Sequence, residues 1–157
     1  MTRTGLVIVA STRAAAGIYE DRSGPIAVEF LRRKGFDTPD PVVVPDADIE
    51  QAVDTAFAAG HSVILTSGGT GLTADDRTVE AVSKHLEREL PGIPMAFWQK
   101  GLESVPTALA SRAVAGVTGT TFAMTLPGST GGVKDGCSVL EELVVPLVDM
   151  LEGTHEH

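Results

Sequence analysis

From Leu65 to Asp76 the chain reads LTSGGTGLTADD. Gly68, Gly69 and Gly71 fall within four positions, and two carboxylates, Asp75 and Asp76, follow. Glycines leave peptide N–H groups bare, and a helix opening after them adds positive potential. The stretch therefore has the chemistry of an anion cradle. No lysine follows the glycines, so the loop is not a Walker A. Carboxylates beside a polyphosphate repel it unless a divalent cation lies between them. Magnesium suits that place, because it takes one or two carboxylates together with phosphate oxygens and water. Asp46, at the end of PVVVPD, is expected on the neighbouring strand and is a candidate for the same ion. The residues alone leave a second reading open, in which Asp46 and Asp76 are helix-end carboxylates facing the macrodipole.

These side chains need elements to position them. GLVIVAS (5–11) is a continuous apolar run and reads as a strand buried on both faces. PVVVPD (41–46) and SVILTS (62–67) read as further strands, and 113–128 as two short ones around TGTT. A long loop, 11–24, follows the first strand, and long ordered loops often carry binding residues. PIAVEFLRRKGF reads as a helix with Pro25 in its first turn and Gly35 at its stop. Ile49, Ala52, Val53, Ala56 and Phe57 recur at helical spacing and form one apolar face. Residues 78–90 are expected to be helical, 106–116 a helix running into a turn, and 133–151 one helix kinked or divided at Pro146. Strands alternating with helices predict a three-layer α/β domain, with a mostly parallel sheet and helices on both faces. In such sheets ligands bind beyond the carboxyl ends of the strands. The Asp46 turn, the loop 68–76 and the loop 128–132 should therefore share one edge.

At 157 residues and 43% hydrophobic content the chain fits one domain, 1–157, with a core of its own. The tail 153–157 is expected to be polar and frayed, and its two histidines to be solvated. A net charge of −9 disfavours nucleic-acid binding, and any phosphorylated ligand must be met by local donors or a metal. Cys137 is the single cysteine, which excludes a disulfide framework and points to a cytoplasmic protein. It is expected to be packed rather than reactive, and His61 and His85 to be ordinary structural residues. No basic n-region precedes an apolar run at the start, and no run approaches the ~20 residues that span a membrane.

Several separated stretches then agree. AAGIYEDRSGP, TSGGTGLTADDRTVEA, VPTALASRAVAGV and LPGSTGGVKDG stand in the order and spacing of one family. From about Gly5 to Leu151 the chain resembles the MoaB/Mog molybdenum-cofactor biosynthesis family. The resemblance implies a molybdopterin-binding α/β fold, assembled as a homotrimer or hexamer. It implies a molybdopterin adenylyltransferase that uses Mg-ATP to attach AMP to the terminal phosphate of molybdopterin and releases pyrophosphate. An alternative within the family is a paralogue or carrier that binds the pterin with little or no catalysis. Other molybdenum-cofactor enzymes are the implied partners.

The two aspartates that the family needs for this chemistry fall on Asp46 and Asp76, expected to place Mg²⁺ directly or through water. The implied nucleotide- and pterin-binding set is Ser67, Gly68, Gly69, Thr70 and Gly71, with Pro127, Gly128 and Ser129 beside them. Arg13, Arg22 and Lys134 are candidate anion contacts. The chain also departs from the family pattern. Asp75 stands where an arginine is common, Arg77 where a small or apolar residue is, and Val79 where a proline is. Ser11-Thr12-Arg13 replaces Ser-Asp-Arg, and Met95 and Trp98 replace a glutamate and an arginine. Trp98 is expected in a subunit contact, with stacking on a pterin or adenine ring as the alternative.

Overall fold

The computed structural model describes residues 2–153. Apart from Gly153, the tail 153–157, with its histidines, lies outside them. Six strands form one sheet: β1 (Gly5–Ala10), β2 (Val42–Val44), β3 (Val63–Ser67), β4 (Arg88–Glu89), β5 (Ala115–Thr118) and β6 (Thr121–Leu126), in the order β2-β1-β3-β6-β5-β4. The first four in that order are parallel, and β5 and β4 complete the sheet in antiparallel pairings. The helices are α1 (Thr12–Ala15), α2 (Gly24–Arg33), α3 (Ile49–Ala59), α4 (Thr78–Ser83), α5 (Gly92–Leu102), α6 (Thr130–Leu140) and α7 (Val144–Leu151).

Alternation along each strand divides the core. Val7, Val9, Val63, Leu65, Phe122, Met124 and Leu126 face one cluster, with residues of α2, α5, α6 and α7. Ile8, Ala10, Ile64 and Ala123 face the other, with Ile49, Val53, Ala56, Ala81 and Val82 of α3 and α4. Successive side chains of a strand point to opposite faces, so a continuous apolar run requires a helix layer on each. The three-layer α/β expectation holds, as does the apolar face of α3.

Three expected helices differ from the structure. The helix expected over 78–90 stops after Ser83, and Arg88 and Glu89 join the sheet opposite Val117 and Gly116. The Glu87 amide donates to the Val117 carbonyl at 3.0 Å and the Leu90 amide to the Ala115 carbonyl at 2.8 Å. Ladder pairing at the sheet's edge here outweighs the helix propensity of a Glu- and Leu-bearing run. The helix expected within 106–116 is a single 3₁₀ segment, Pro106–Ala110, after which the chain is extended. The extended part is held from outside itself: the Arg112 amide bonds the Thr70 carbonyl and the Val114 amide bonds Thr125 Oγ1. The last helix divides at 141–143 rather than at Pro146. Pro146 falls in the first turn of α7, where its missing N–H has no helical partner to lose.

Leu65 lies in the middle of β3 with no solvent exposure. Leu65→Ala should cost about 2–5 kcal/mol, the usual range for a fully buried leucine, read as a lowered midpoint in urea denaturation.

Candidate functional site

Parallel pairing of β2, β1, β3 and β6 brings the ends of these strands to one edge, as expected. The loop after β3 and the loop after β6 meet there. They line an open hollow of about 610 Å³ formed by Gly68, Gly69, Thr70, Gly71, Leu72, Asp76, Pro127, Gly128 and Ser129, closed on one side by Thr107, Ala110 and Ser111. Gly68 has φ +95°, and a Cβ there would fall 2.3 Å from the Ala10 carbonyl oxygen. That position needs glycine both for its dihedral and for the close approach of β1. At Gly71 the constraint is the acid itself, since a Cβ would lie 2.8 Å from Asp76 Oδ2.

Asp76 is held by its own loop. Its Oδ2 accepts from the Thr73 amide at 3.0 Å and from the Thr73 hydroxyl at 2.8 Å. Partial burial pulls this carboxyl upward. The Thr73 hydroxyl and amide, the Gly71 amide and the Arg112 charge outweigh it and keep the group below the ordinary carboxylate range. Asp46 begins a 3₁₀ turn directly after β2, where its Oδ2 accepts from the Thr12 hydroxyl at 3.1 Å. The strand carrying it is not next to β3, because β1 lies between them. The two strands are thus about 10 Å apart, at ~4.8 Å per step. Asp46 and Asp76 share the sheet edge, but only Asp76 lines the hollow.

The remaining candidates are distributed unevenly. Gly68, Gly69, Thr70, Gly71, Pro127, Gly128 and Ser129 all face the hollow. Ser129 also caps α6 by accepting from the Gly132 amide at 3.0 Å, so the positive end of an 11-residue helix faces this edge. Ser67 differs from expectation, being 1% exposed. Its hydroxyl donates to the Pro127 carbonyl at 2.9 Å and lies 2.9 Å from Ser23 Oγ, which makes it a brace between loops. Arg22 lines a second cavity of about 360 Å³ with Ser11, Tyr19, Gly128 and Thr130, and Gly128 lines the hollow as well. Arg13 stands exposed on α1 and lines neither cavity. Lys134 lies instead on the groove between α2 and α6 with Glu29, Arg33 and Cys137. Cys137 is buried there, and desolvation pushes its thiol up to about 11.

Trp98 is turned toward the core and does not line the hollow. It packs half-buried against the core and donates from Nε1 to the Ser111 carbonyl at 2.9 Å. His61 is tied to Thr4 and His85 to Asp54, each in a structural role. Among the described residues no group of three or more His, Cys, Asp or Glu side chains could hold a metal, and no helix is long and apolar enough to cross a membrane. The segment 107–112 was not assigned a role from the sequence. Its small residues and single arginine carry no periodic signal, and its value lies in contacts made across the fold.

Residues 6–149 match the family model described as "Probable molybdopterin binding domain". The chain belongs to the MoaB/Mog molybdenum-cofactor biosynthesis family. It is 36% identical over 149 residues to the "Molybdenum cofactor biosynthesis bifunctional protein" of Chlorobaculum tepidum, covering 94% of this chain and 48% of that protein. The chain thus spans about half the length of such bifunctional relatives. It is 34% identical over 145 residues to the "Molybdopterin adenylyltransferase" of Pyrococcus furiosus, covering 88% of this chain and 85% of that one. The solved structure of the molybdopterin biosynthesis Mog protein from Mycobacterium ulcerans superposes with a TM-score of 0.89 at 42% identity, over 96% of this chain and 99% of that one. The likeness to MoaB/Mog proteins covers both rim loops and the segment that closes the hollow.

Two outcomes follow at this rim. Gly68→Ala should cost about 1–3 kcal/mol through its dihedral, and more through the contact with β1, seen as a lower thermal midpoint. Asp76 should titrate below the ordinary aspartate range, followed by NMR of its carboxyl carbon. Its folded value lies below the unfolded one, so its contribution to stability is present above the unfolded value and is lost as pH falls through the folded one. Thr73→Ala should move the titration upward.

Proposed function

We propose that this protein is a molybdopterin adenylyltransferase that uses Mg-ATP to adenylylate the terminal phosphate of molybdopterin. The observation that carries this reading is the ionised Asp76 carboxylate on the wall of a glycine-lined hollow at the strand ends. A hollow built for a polyphosphate alone would present cations there. An acid beside bare amides suits an anion that arrives with a divalent cation. The relative from Pyrococcus furiosus bears the adenylyltransferase name, which agrees with it.

The donor set fits magnesium. Asp76 engages Thr73 through Oδ2, which leaves Oδ1 for a ligand. Asp46 stands at the same edge two strands away, suited to engagement through water. Two carboxylates without a third ligand match a cation that takes its other oxygens from phosphates and water. Magnesium, when bound, would supply the positive charge that lets phosphates lie beside these acids.

In this reading the amides of Gly69 and Thr70 and the capped end of α6 bind phosphate oxygens, while the Gly68 amide stays on the Leu126 carbonyl. A terminal phosphate oxygen of the pterin attacks the α-phosphorus of ATP. The bond from that phosphorus to the bridging oxygen breaks, and pyrophosphate leaves with the electron pair. The attacking oxygen is ionised near neutral pH, so no general base is required. Positioning and charge stabilisation carry the rate. The same reading takes the protein as a cytoplasmic homotrimer or hexamer that passes its product to other molybdenum-cofactor enzymes. The exposed Leu72, Met95 and Leu109 agree with assembly.

Purified protein with Mg-ATP and molybdopterin should release pyrophosphate and form the adenylylated pterin. Asp76→Asn should lower turnover about 100-fold or more with an unchanged circular-dichroism spectrum, and chelation of Mg²⁺ should abolish it. Pterin binding without pyrophosphate would mark a carrier instead, a reading favoured by Asp75 standing where the family commonly has a cation. Parental turnover in Asp76→Asn would remove the metal assignment.

A further inference from the structure

The loop that carries Asp76 has little of its own to hold it. Between Gly71 and Asp76 there is neither helix nor strand, and Leu72, Thr73, Ala74 and Asp75 are all exposed. The Thr73–Asp76 bonds close a turn inside this loop but do not tie it to the fold. What ties it is Arg112, which approaches from the segment just before β5. Its Nε donates to the Gly71 carbonyl at 2.8 Å and its Nη2 to the Asp76 carbonyl at 2.9 Å. One guanidinium thus grips both ends of the loop.

The grip is itself braced. The Arg112 amide donates to the Thr70 carbonyl at 2.9 Å, and Ser111 Oγ to Thr70 Oγ1 at 3.1 Å. The indole of Trp98 holds the Ser111 carbonyl from the core side. Glu80 of α4 also meets the guanidinium in an exposed ion pair, which adds little to the two carbonyl bonds. Arg112 does not line the hollow; it lines a neighbouring cleft on the far side of the loop with Thr73, Arg77 and Glu80.

We propose that Arg112 is the positioning residue of the Asp76 loop, its planar fork bridging the carbonyls of Gly71 and Asp76 so that the carboxylate is held at the wall of the hollow. The role of Asp76 itself rests on the reading given above. Only arginine presents several donors in a fixed plane, whereas a lysine ammonium is a point charge that cannot span both carbonyls in the same way. The clamp needs the fork and not merely the charge. A site whose acid drifts by an ångström loses rate even when its residues are all present.

The test compares R112Q, R112K and E80Q in the full chain. Three quantities are read: thermal midpoint, hydrogen exchange of the amides 71–77, and kcat with separate KM values for Mg-ATP and molybdopterin. R112K keeps the charge and guards against a glutamine variant that fails to fold. The expected result for folded R112Q and R112K is exchange at 71–77 at least tenfold faster and kcat at least tenfold lower. The molybdopterin KM should stay within twofold of the parent. E80Q should leave exchange and kcat near parental. Full kcat in R112K, unchanged exchange, or a loosened loop with parental kcat would each overturn the clamp. If the parent protein itself releases no pyrophosphate, the enzyme reading fails separately. The clamp is then decided by exchange at 71–77 and by the affinity of R112K for Mg-ATP, where parental values would overturn it.

Discussion

Parallel pairing of β1 with β3, and of β3 with β6, is the constraint on which the rest of the structure depends. Because the three strands run the same way, each must end at the same edge, and each return must cross a helix layer. The crossovers supply the two faces that bury the strands, and the ends supply the loops. Register decides the rest. Ser67 pairs with Leu126 across β3 and β6, so the glycine loop and the Pro127–Ser129 loop start level with one another. A slip of one residue would turn Leu65 and Met124 to the wrong face and separate the two walls of the hollow. Core and site are therefore specified by the same ladder.

The chemistry of that edge is set against the character of the whole chain. With a net charge of −9, the protein has no long-range attraction for phosphates. Under the proposed function local dipoles must do what bulk charge does elsewhere: the amides of Gly69 and Thr70 and the capped end of α6. The arginine behind the loop is committed to structure. Arg112 is spent on carbonyls and on Glu80, and its charge also helps to hold Asp76 ionised. Under the proposed function, a divalent cation would match the acid at Asp76 to the polyanion.

Much of this is legible in the sequence. The apolar runs 5–11 and 62–67 were too uniform for surface strands, and the glycine spacing marked a close backbone approach that Gly68 makes against Ala10. Both glycine-bearing loops were placed on the correct edge by strand direction alone. What escaped was whatever depends on contacts distant in sequence. Arg88 and Glu89 look helical until β5 offers them a ladder. Ser67 looks like a ligand residue until the fold turns its hydroxyl toward Pro127 and Ser23. The place of Asp46, with β1 between it and β3, follows from strand order, which periodicity does not encode. Trp98 and Arg112 belong to one strut across α5, the 107–112 segment and the glycine loop, and no local pattern announces such a strut.

The Ser67 hydroxyl joins three separate stretches of chain: the end of β3, the turn after β6 and the entry to α2. Ser23 and Ser67 are both buried, so water does not compete for these bonds. The walls of the hollow are consequently fixed to one another in the free protein. A guest arriving there has little loop entropy to quench, and the free energy of its contacts goes into affinity and orientation rather than into assembling the receptor.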